Sequence, residues 1–285
     1  IKHRPPEFHH ADLCRSSSPA QDEEIAEFST RDMQRGFDLQ ANPLLRFAIF
    51  RIESDLHRVV WSYHHILLDG WSLGNVFGEF SSLYEAHHRT QHSLLPPARP
   101  YSRHIEWLQD HDAGRAHEFW RDRLEGVEQL TSIPTQPGAD PQAAYRMGEL
   151  TFQLSETQGR SLQDVAHQAG ATLSTLIQTG WAVVLSRYQE TGDILFGSIV
   201  SGRPAEVDHI EQMVGLFINA IPVRIRVDEE QAFIDLLKIV QEQALEAEPY
   251  HYCPLPEIQA LTSLQQGLFD HLFIFENFPT DRAAL

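Results

Sequence analysis

Arg58-Val59-Val60-Trp61-Ser62-Tyr63-His64-His65-Ile66-Leu67-Leu68-Asp69-Gly70-Trp71-Ser72 is the stretch whose reading decides the fold. Four of its first six residues, Val59, Val60, Trp61 and Tyr63, are β-branched or aromatic, a strand pattern. Two adjacent imidazoles follow, and then Asp69-Gly70 just ahead of Leu73, Val76, Phe77, Phe80, Leu83 and Tyr84, which recur at helical spacing. Ser72 is the expected N-cap of that helix. Upstream, Leu45–Ile52 reads as a partner strand with Asp55-Leu56 at the turn, so a hairpin delivers the His pair to the mouth of a helix. A rigid strand end opening towards a helix is where side chains can be held ready for chemistry.

Working outward, residues 1–44 are polar and turn-rich, with a short helix expected near Asp22–Phe28. A proline-rich break at Leu95–Pro100 precedes a helical region from about Tyr101 to Leu124, whose Trp107, Leu108, Phe119, Trp120 and Leu124 are expected to pack against the first half. Ser132–Pro141 has linker composition, which places a lobe boundary between residues 133 and 134 and gives lobes 1–133 and 134–285. The second lobe alternates strand and helix. Strands are expected at Leu150–Leu154, Ile194–Val200, within Val214–Ile225 and at Leu272–Phe275. Helices are expected from a Ser155 cap to about His167, over Leu173–Tyr188, and from about Ala232 to Leu245. Strands joined by crossover helices in two successive lobes indicate an α/β architecture.

The bulk properties narrow the function. Among 285 residues, 22 are basic and 40 acidic, a formal net charge of −18, which argues against a nucleic-acid partner. No apolar run approaches membrane-spanning length, so no membrane span is expected. The start, Ile1-Lys2-His3-Arg4-Pro5-Pro6, has neither a signal-peptide nor a transit pattern and reads as the interior of something longer. Cys14 and Cys253 stand apart with no paired spacing, so neither a disulfide framework nor a thiolate metal site is indicated, and a reducing, cytoplasmic compartment is the default.

Sixteen histidines include three adjacent pairs, His9-His10, His64-His65 and His87-His88, so a pair alone carries little. Only the middle pair is followed by an acidic residue and a glycine at a helix mouth. Catalysis by that pair competes with a half-buried histidine bonded to backbone. A metal site is the second functional alternative, with His65 and Asp69 as ligands, but no Glu or third His stands close in sequence. There is no nucleophile elbow and no phosphate-binding glycine loop.

His64-His65-Ile66-Leu67-Leu68-Asp69-Gly70 resembles the HHxxxDG signature of condensation domains in nonribosomal peptide synthetases. Order along the chain supports the resemblance. Tyr101–Trp107 is similar to the family's YxDFxxW element, with its Asp and Phe replaced. Gly197-Ser198-Ile199-Val200-Ser201-Gly202-Arg203-Pro204 looks like its GxxxSGRP segment, Val214–Asn219 like VGxFxN, and His251-Tyr252-Cys253-Pro254-Leu255 like HQxxPL with the Gln replaced. Two departures matter. The family's N-terminal elements are absent, which reads as truncation. Where many members have RDxSRNPL this chain has Leu261–Leu268, which, with Phe269-Asp270-His271 and Phe275-Glu276-Asn277, looks more like members accepting a donor that ends in a D-residue.

The resemblance implies two chloramphenicol-acetyltransferase-like lobes arranged in a V, with the site at their junction. It implies donor and acceptor peptidyl carrier proteins as partners, an adjacent adenylation domain in the same synthetase, substrates tethered to phosphopantetheine, and no metal or other cofactor bound by the domain itself. In the reaction it implies, the acceptor's amine attacks the donor thioester and an amide forms. His65 is the expected catalytic group, because an imidazole can take the proton that a developing ammonium must lose. His64 is expected to support the loop. Asp69 is expected to hold structure, with Arg203 as its partner, and Gly70 to let backbone approach substrate. Asn219, Trp120 and Asn277 are candidate site-lining residues, each with a structural alternative. Competing functions are an epimerisation domain of the same family and a non-catalytic recruitment module on the same fold.

Overall fold

The structure is a computed structural model that describes residues 5–40, 43–90, 95–133, 147–264 and 267–276. It parts into two compact units. Among the described residues, one holds those of 5–101 and 211–216, and the other those of 102–210 and 217–276. The division thus falls at Tyr101/Ser102, and not between residues 133 and 134, where linker composition suggested a boundary.

In the first unit, strand β1 (Glu7–Asp12) leads through helix α1 (Ser18–Arg35) to strand β2 (Leu45–Arg51), which pairs with β1 in parallel. Strand β3 (His57–Tyr63) returns antiparallel to β2, as the hairpin pattern predicts, with Leu45 opposite Tyr63. Helix α2 (Gly70–His88) follows. Alternation on β2 buries Arg46, Ala48 and Phe50 on one face, and Ala48 and Phe50 pack with Leu13, Ile25 and Phe28. The polar N-terminal segment therefore holds more structure than its composition indicated. β1 has no apolar alternation and exists through its backbone pairing to β2, while α1 brings Ile25 and Phe28 to the core. The helix expected over Asp22–Phe28 is the middle of a longer one, opened by Pro19 in its first turn and ended by Gly36 at φ +59°.

Arg46 is a cation at a buried strand position, and four contacts compensate it, one of them from its Nη2 to Asp32 O at 3.1 Å. Its Nε donates to Asp32 Oδ1 at 2.7 Å, its Nη1 to Gly36 O at 2.9 Å, and its guanidinium lies 3.9 Å from the centre of the Phe37 ring. Burial pushes the Asp32 carboxyl up, but the hydrogen bond and charge of Arg46 outweigh it, so the carboxyl titrates below the usual range. A carboxyl depressed by folding contributes stability that is complete above its unfolded pKa of about 3.9 and is lost as pH falls through the folded value. Asp32→Asn should therefore cost about 1.5–3 kcal/mol near neutrality. Its deficit against wild type should shrink as pH drops below about 4. Chemical denaturation at pH 7 and pH 3 checks this; an equal deficit at both would show that the charge contributes nothing.

In the second unit, helices α3 (Ser102–Asp110) and α4 (Ala113–Leu124) are followed by α5 (Glu156–Gln168) and α6 (Leu173–Gln189). Strand β4 (Asp193–Val200) pairs antiparallel with β5 (Asn219–Arg226). Helices α7 (Phe233–Ala247) and α8 (Leu255–Ala260) precede strand β6 (Leu272–Phe273), which lies parallel to β4. The sheet order is β5-β4-β6. Ser155 caps α5 through a reciprocal bond with Gln158, as expected from sequence. The α4 row Ala116, Trp120 and Leu124 packs with Leu195, Ile221, Ile258 and Leu268. Helix α4 thus joins the core of the second unit, whereas its amphipathic pattern suggests packing against the first half; periodicity gives a buried face but not its partner.

Two further expectations are corrected. Leu150–Leu154 forms no strand among the described residues, with Leu150 89% and Phe152 78% exposed. Apolar alternation there finds no strand to pair with among the described residues, and pairing is what makes a strand. Of Val214–Ile225, only Asn219 onward is strand, because residues 214–216 are engaged elsewhere, as described next.

Candidate active site

β3 ends at Tyr63, and His64 N still donates to Leu44 O at 2.9 Å, so the ladder holds the first imidazole's backbone. The His64 ring turns back on its own loop. Its Nδ1 accepts from Ile66 N at 3.1 Å and caps a single 3₁₀ turn over His65–Leu67. A ring nitrogen that accepts an N–H carries no proton there, so His64 is used in shaping the turn. His65, the first residue of that turn, is exposed, and its ring has no hydrogen-bond partner among the described residues. Sequence treats the two imidazoles alike; the turn makes one a strut and leaves the other free.

The other end of the loop is tied more strongly. Asp69, and not Ser72, is the N-cap of α2, with Oδ1 accepting from Ser72 N at 2.9 Å. The correction has a physical reason: the helix begins at Gly70, so Ser72 lies in its first turn with its N–H pointing at the Asp69 carboxylate. Ser72 Oγ lies 2.8 Å from Asp69 Oδ1 and 2.9 Å from Gly215 O, and accepts from Gly215 N at 3.1 Å. Its single proton goes to the carboxylate, the stronger acceptor. Asp69 N donates to Gly215 O at 3.1 Å. Asp69 is 1% and Ser72 0% exposed, so this polar knot is dry.

Three further bonds fasten the same segment of residues 211–216. Trp71 Nε1 and Asn75 Nδ2 both donate to Glu211 O, at 2.9 and 2.7 Å, and Tyr101 Oη donates to Leu216 O at 2.5 Å. A Cβ on Gly215 would come within 2.2 Å of the Tyr101 ring, which that bond clamps. The signature loop, the tyrosine that opens the YxDFxxW-like element and the Val-Gly pair of the VGxFxN-like element are thus parts of one assembly. Sequence reading missed Ser72, Tyr101 and Gly215 as members; the signal was a glycine between two large apolar residues, Val214 and Leu216, where only a close approach requires one.

In the second unit, Arg203 follows β4. Its Nη1 donates to Ile210 O at 2.6 Å and its guanidinium lies 3.8 Å from the centre of the Phe217 ring. Gly202 beside it has φ +59°, and a Cβ would fall 1.8 Å from Phe217 O, a backbone atom that cannot swing away. His104 packs its ring 4.8 Å from the same phenyl ring; burial first, then the charge of Arg203, lowers its pKa, so it is neutral. Asn219 uses its whole amide on backbone. Nδ2 donates to His251 O and Cys253 O at 2.8 and 2.7 Å, while Oδ1 accepts from Ala220 N at 2.9 Å. Trp120 is a core residue whose Nε1 donates to Tyr250 O at 3.3 Å, and it also borders a cavity of about 340 Å³ with Gln178, Ser198, Gln241 and His251. Gly70 is the first residue of α2, and Asn277 lies outside the described residues.

The Asp270-His271 pair looks like a catalytic dyad but is occupied. Nδ1 of His271 lies 2.6 Å from Asp270 Oδ1, and Trp181 Nε1–H donates to Nε2 at 3.1 Å. Nε2 therefore accepts, the proton is on Nδ1, and no lone pair is left for a substrate. Within the first unit, a cavity of about 340 Å³ lined by Glu7, His9, Asp32, Arg35 and Arg46 includes neither His65 nor Asp69.

Comparison with known proteins bears on this arrangement. The family model described as Condensation domain matches residues 1–284. Bacitracin synthase 3 of Bacillus licheniformis is 41% identical over 285 residues, all of this chain and 4% of that protein. Surfactin synthase subunit 3 of Bacillus subtilis (strain 168) is 40% identical over 283 residues, 99% of this chain and 22% of that protein. The chain thus spans a small part of the relatives that it matches. Among solved structures, VibH, an NRPS condensation enzyme, superposes with a TM-score of 0.74 at 18% identity, covering 92% of this chain and 61% of that one. The epimerization domain from the third module of tyrocidine synthetase B gives 0.69 at 22%, covering 93% and 60%. At such identities the likeness is one of fold. No helix among the described residues is long and apolar enough to cross a membrane.

Proposed function

The chain belongs to the condensation-domain family of nonribosomal peptide synthetases, and from that premise we propose that it joins a carrier-bound peptidyl or aminoacyl thioester to the amine of a carrier-bound aminoacyl acceptor. The observation that carries the proposal is the asymmetry of the His pair: His64 is bound into its own turn, and His65 is exposed and unengaged. The loop is fixed at one end by the β3 ladder and at the other by the Asp69–Ser72–Gly215 knot, so His65 is presented from a rigid support.

In the proposed reaction the amine nitrogen bonds to the thioester carbon and the imidazole of His65 takes the ammonium proton. The C–S bond then breaks, and the proton passes to the departing phosphopantetheine thiolate. The chemistry is carried by carrier-tethered substrates, with an adenylation domain loading the acceptor in the same synthetase and the cytoplasm as the compartment. Asp69 and Arg203 are proposed as a coupled positioning pair, and the donor as one ending in a D-residue.

Separately loaded donor and acceptor carriers, the donor supplied with either a D- or an L-terminus, test the proposal. Mass spectrometry should find the elongated chain on the acceptor carrier, faster from the D-terminated donor. Inversion of a residue on one carrier with no transfer would instead establish an epimerase. Neither product from active carriers would leave a recruitment module. Transfer with equal rates from both donors would retain condensation and remove the D-donor assignment.

A further inference from the structure

Cys253 has no second cysteine near it in the sequence, yet the fold supplies it with two companions. His117 on α4, Cys253 in the turn before α8 and Glu257 on α8 each offer one donor atom, and the three atoms lie within 4.8 Å of one another. His117 Nε2 is 2.8 Å from Glu257 Oε2. All three belong to the second unit.

Their positions are set by the core and not by long flexible stems. His117 adjoins Ala116, which faces the core shared by Cys253 and Ile258. The Cys253 backbone is held twice: its N–H donates to Tyr250 O at 3.1 Å, and its carbonyl accepts from Asn219 Nδ2 at 2.7 Å. Glu257 precedes Ile258, which is fully buried. Three donors anchored on three packed elements are preorganised to a degree that exposed carboxylate clusters are not.

We infer that His117, Cys253 and Glu257 form a binding site for a zinc-class divalent metal ion. The donor set is imidazole nitrogen, thiolate sulfur and carboxylate oxygen, which a borderline-soft ion accepts together and which magnesium or calcium does not. One thiolate and one carboxylate balance the charge of a divalent ion. Tetrahedral bonds of about 2.0–2.3 Å separate ligand atoms by roughly 3.3–3.8 Å. Small side-chain rotations bring a spread of 4.8 Å to that value. Cys253 is buried, His117 half-buried and Glu257 exposed, so the fourth position of a tetrahedral ion would face solvent on the side of Glu257. The site ties α8 to α4 as a staple and takes no part in the chemistry proposed for His65.

Cobalt(II) titration of the chelator-treated chain tests this, because cobalt in a tetrahedral thiolate site gives a sulfur-to-metal charge-transfer band. The band should appear at one equivalent, vanish on adding zinc, and be absent in Cys253→Ser. Zinc should raise the melting temperature of wild type but not of Cys253→Ser, and less in His117→Gln and Glu257→Gln, whose partly exposed positions tolerate the change. Cys14 is the other cysteine and is exposed. Cys14→Ser should bind cobalt as wild type does. No charge-transfer band, a band lost with Cys14 instead, or binding untouched by both His117→Gln and Glu257→Gln would each overturn the inference. Cobalt bound without the band would place it on the surface histidines and likewise overturn it.

Discussion

His65→Ala is expected to leave the protein folded, with an unchanged melting temperature, and to lower amide formation between loaded carriers by about 10²–10⁴-fold, the usual worth of general acid–base help. The fold should not register the change because the His65 ring is exposed and makes no hydrogen bond. His64→Ala is the informative control. It removes the Nδ1 acceptor that caps the 3₁₀ turn, so it should lower both stability and rate, the rate through misplacement of His65. Carrier-transfer rates and thermal melts on the two variants check the division of labour. A His65→Ala protein that retains full activity would remove His65 from the chemistry. Equal losses of stability in both variants would show that the pair is structural throughout.

Asp69→Ala is expected to destabilise the protein by about 2–5 kcal/mol, combining the loss of an N-cap with the penalty for leaving buried polar groups unpaired. The Ser72 N–H loses its acceptor, and the Ser72 hydroxyl loses the stronger of the two acceptors within reach of its proton, leaving Gly215 O. Because the same knot fixes residues 211–216, the damage should spread to Trp71, Asn75 and their shared acceptor at Glu211, visible as faster amide exchange in both segments. Asp69→Asn separates capping from charge, since asparagine caps a helix about as well as aspartate. The Asn variant should recover most of the stability, and a double-mutant cycle with Arg203→Gln then reads any energetic coupling of the carboxylate to the guanidinium. If Asp69→Ala is as stable as wild type yet inactive, the carboxylate belongs to the chemistry and not to the frame.

Much of the local structure is legible because it follows from patterning. The β2–β3 hairpin, the start of α5 at Ser155 and the span of α6 are set by alternation, capping chemistry and 3.6-residue spacing, all of which act over a few neighbours. Elements that depend on a distant partner were not legible. β1 carries Glu7, His9 and His10 where a strand pattern would have apolar residues, and only its ladder to β2 makes it a strand. Leu150–Leu154 is the converse, an apolar alternation without a ladder among the described residues. The α4 row of Ala116, Trp120 and Leu124 declared a buried face, but the choice of Leu195 and Ile221 as its partners is a matter of topology.

The sequence by itself determined the family, the α/β class and the identity of the His64–Gly70 loop, since order and spacing of short motifs survive without any coordinates. What only tertiary structure decided is which imidazole is free, what Asp69 does and which residues share its knot. Two adjacent histidines differ by the hydrogen bonds each makes, and one of those partners, Ile66 N–H, is available only because the chain turns there. Asp69 and Gly215 meet across a long stretch of chain, as do His117 and Cys253, because packing brings distant residues within bonding reach. Hydrogen bonds and coordination act over about 2–3 Å. At that range proximity in space, not in sequence, assigns the roles.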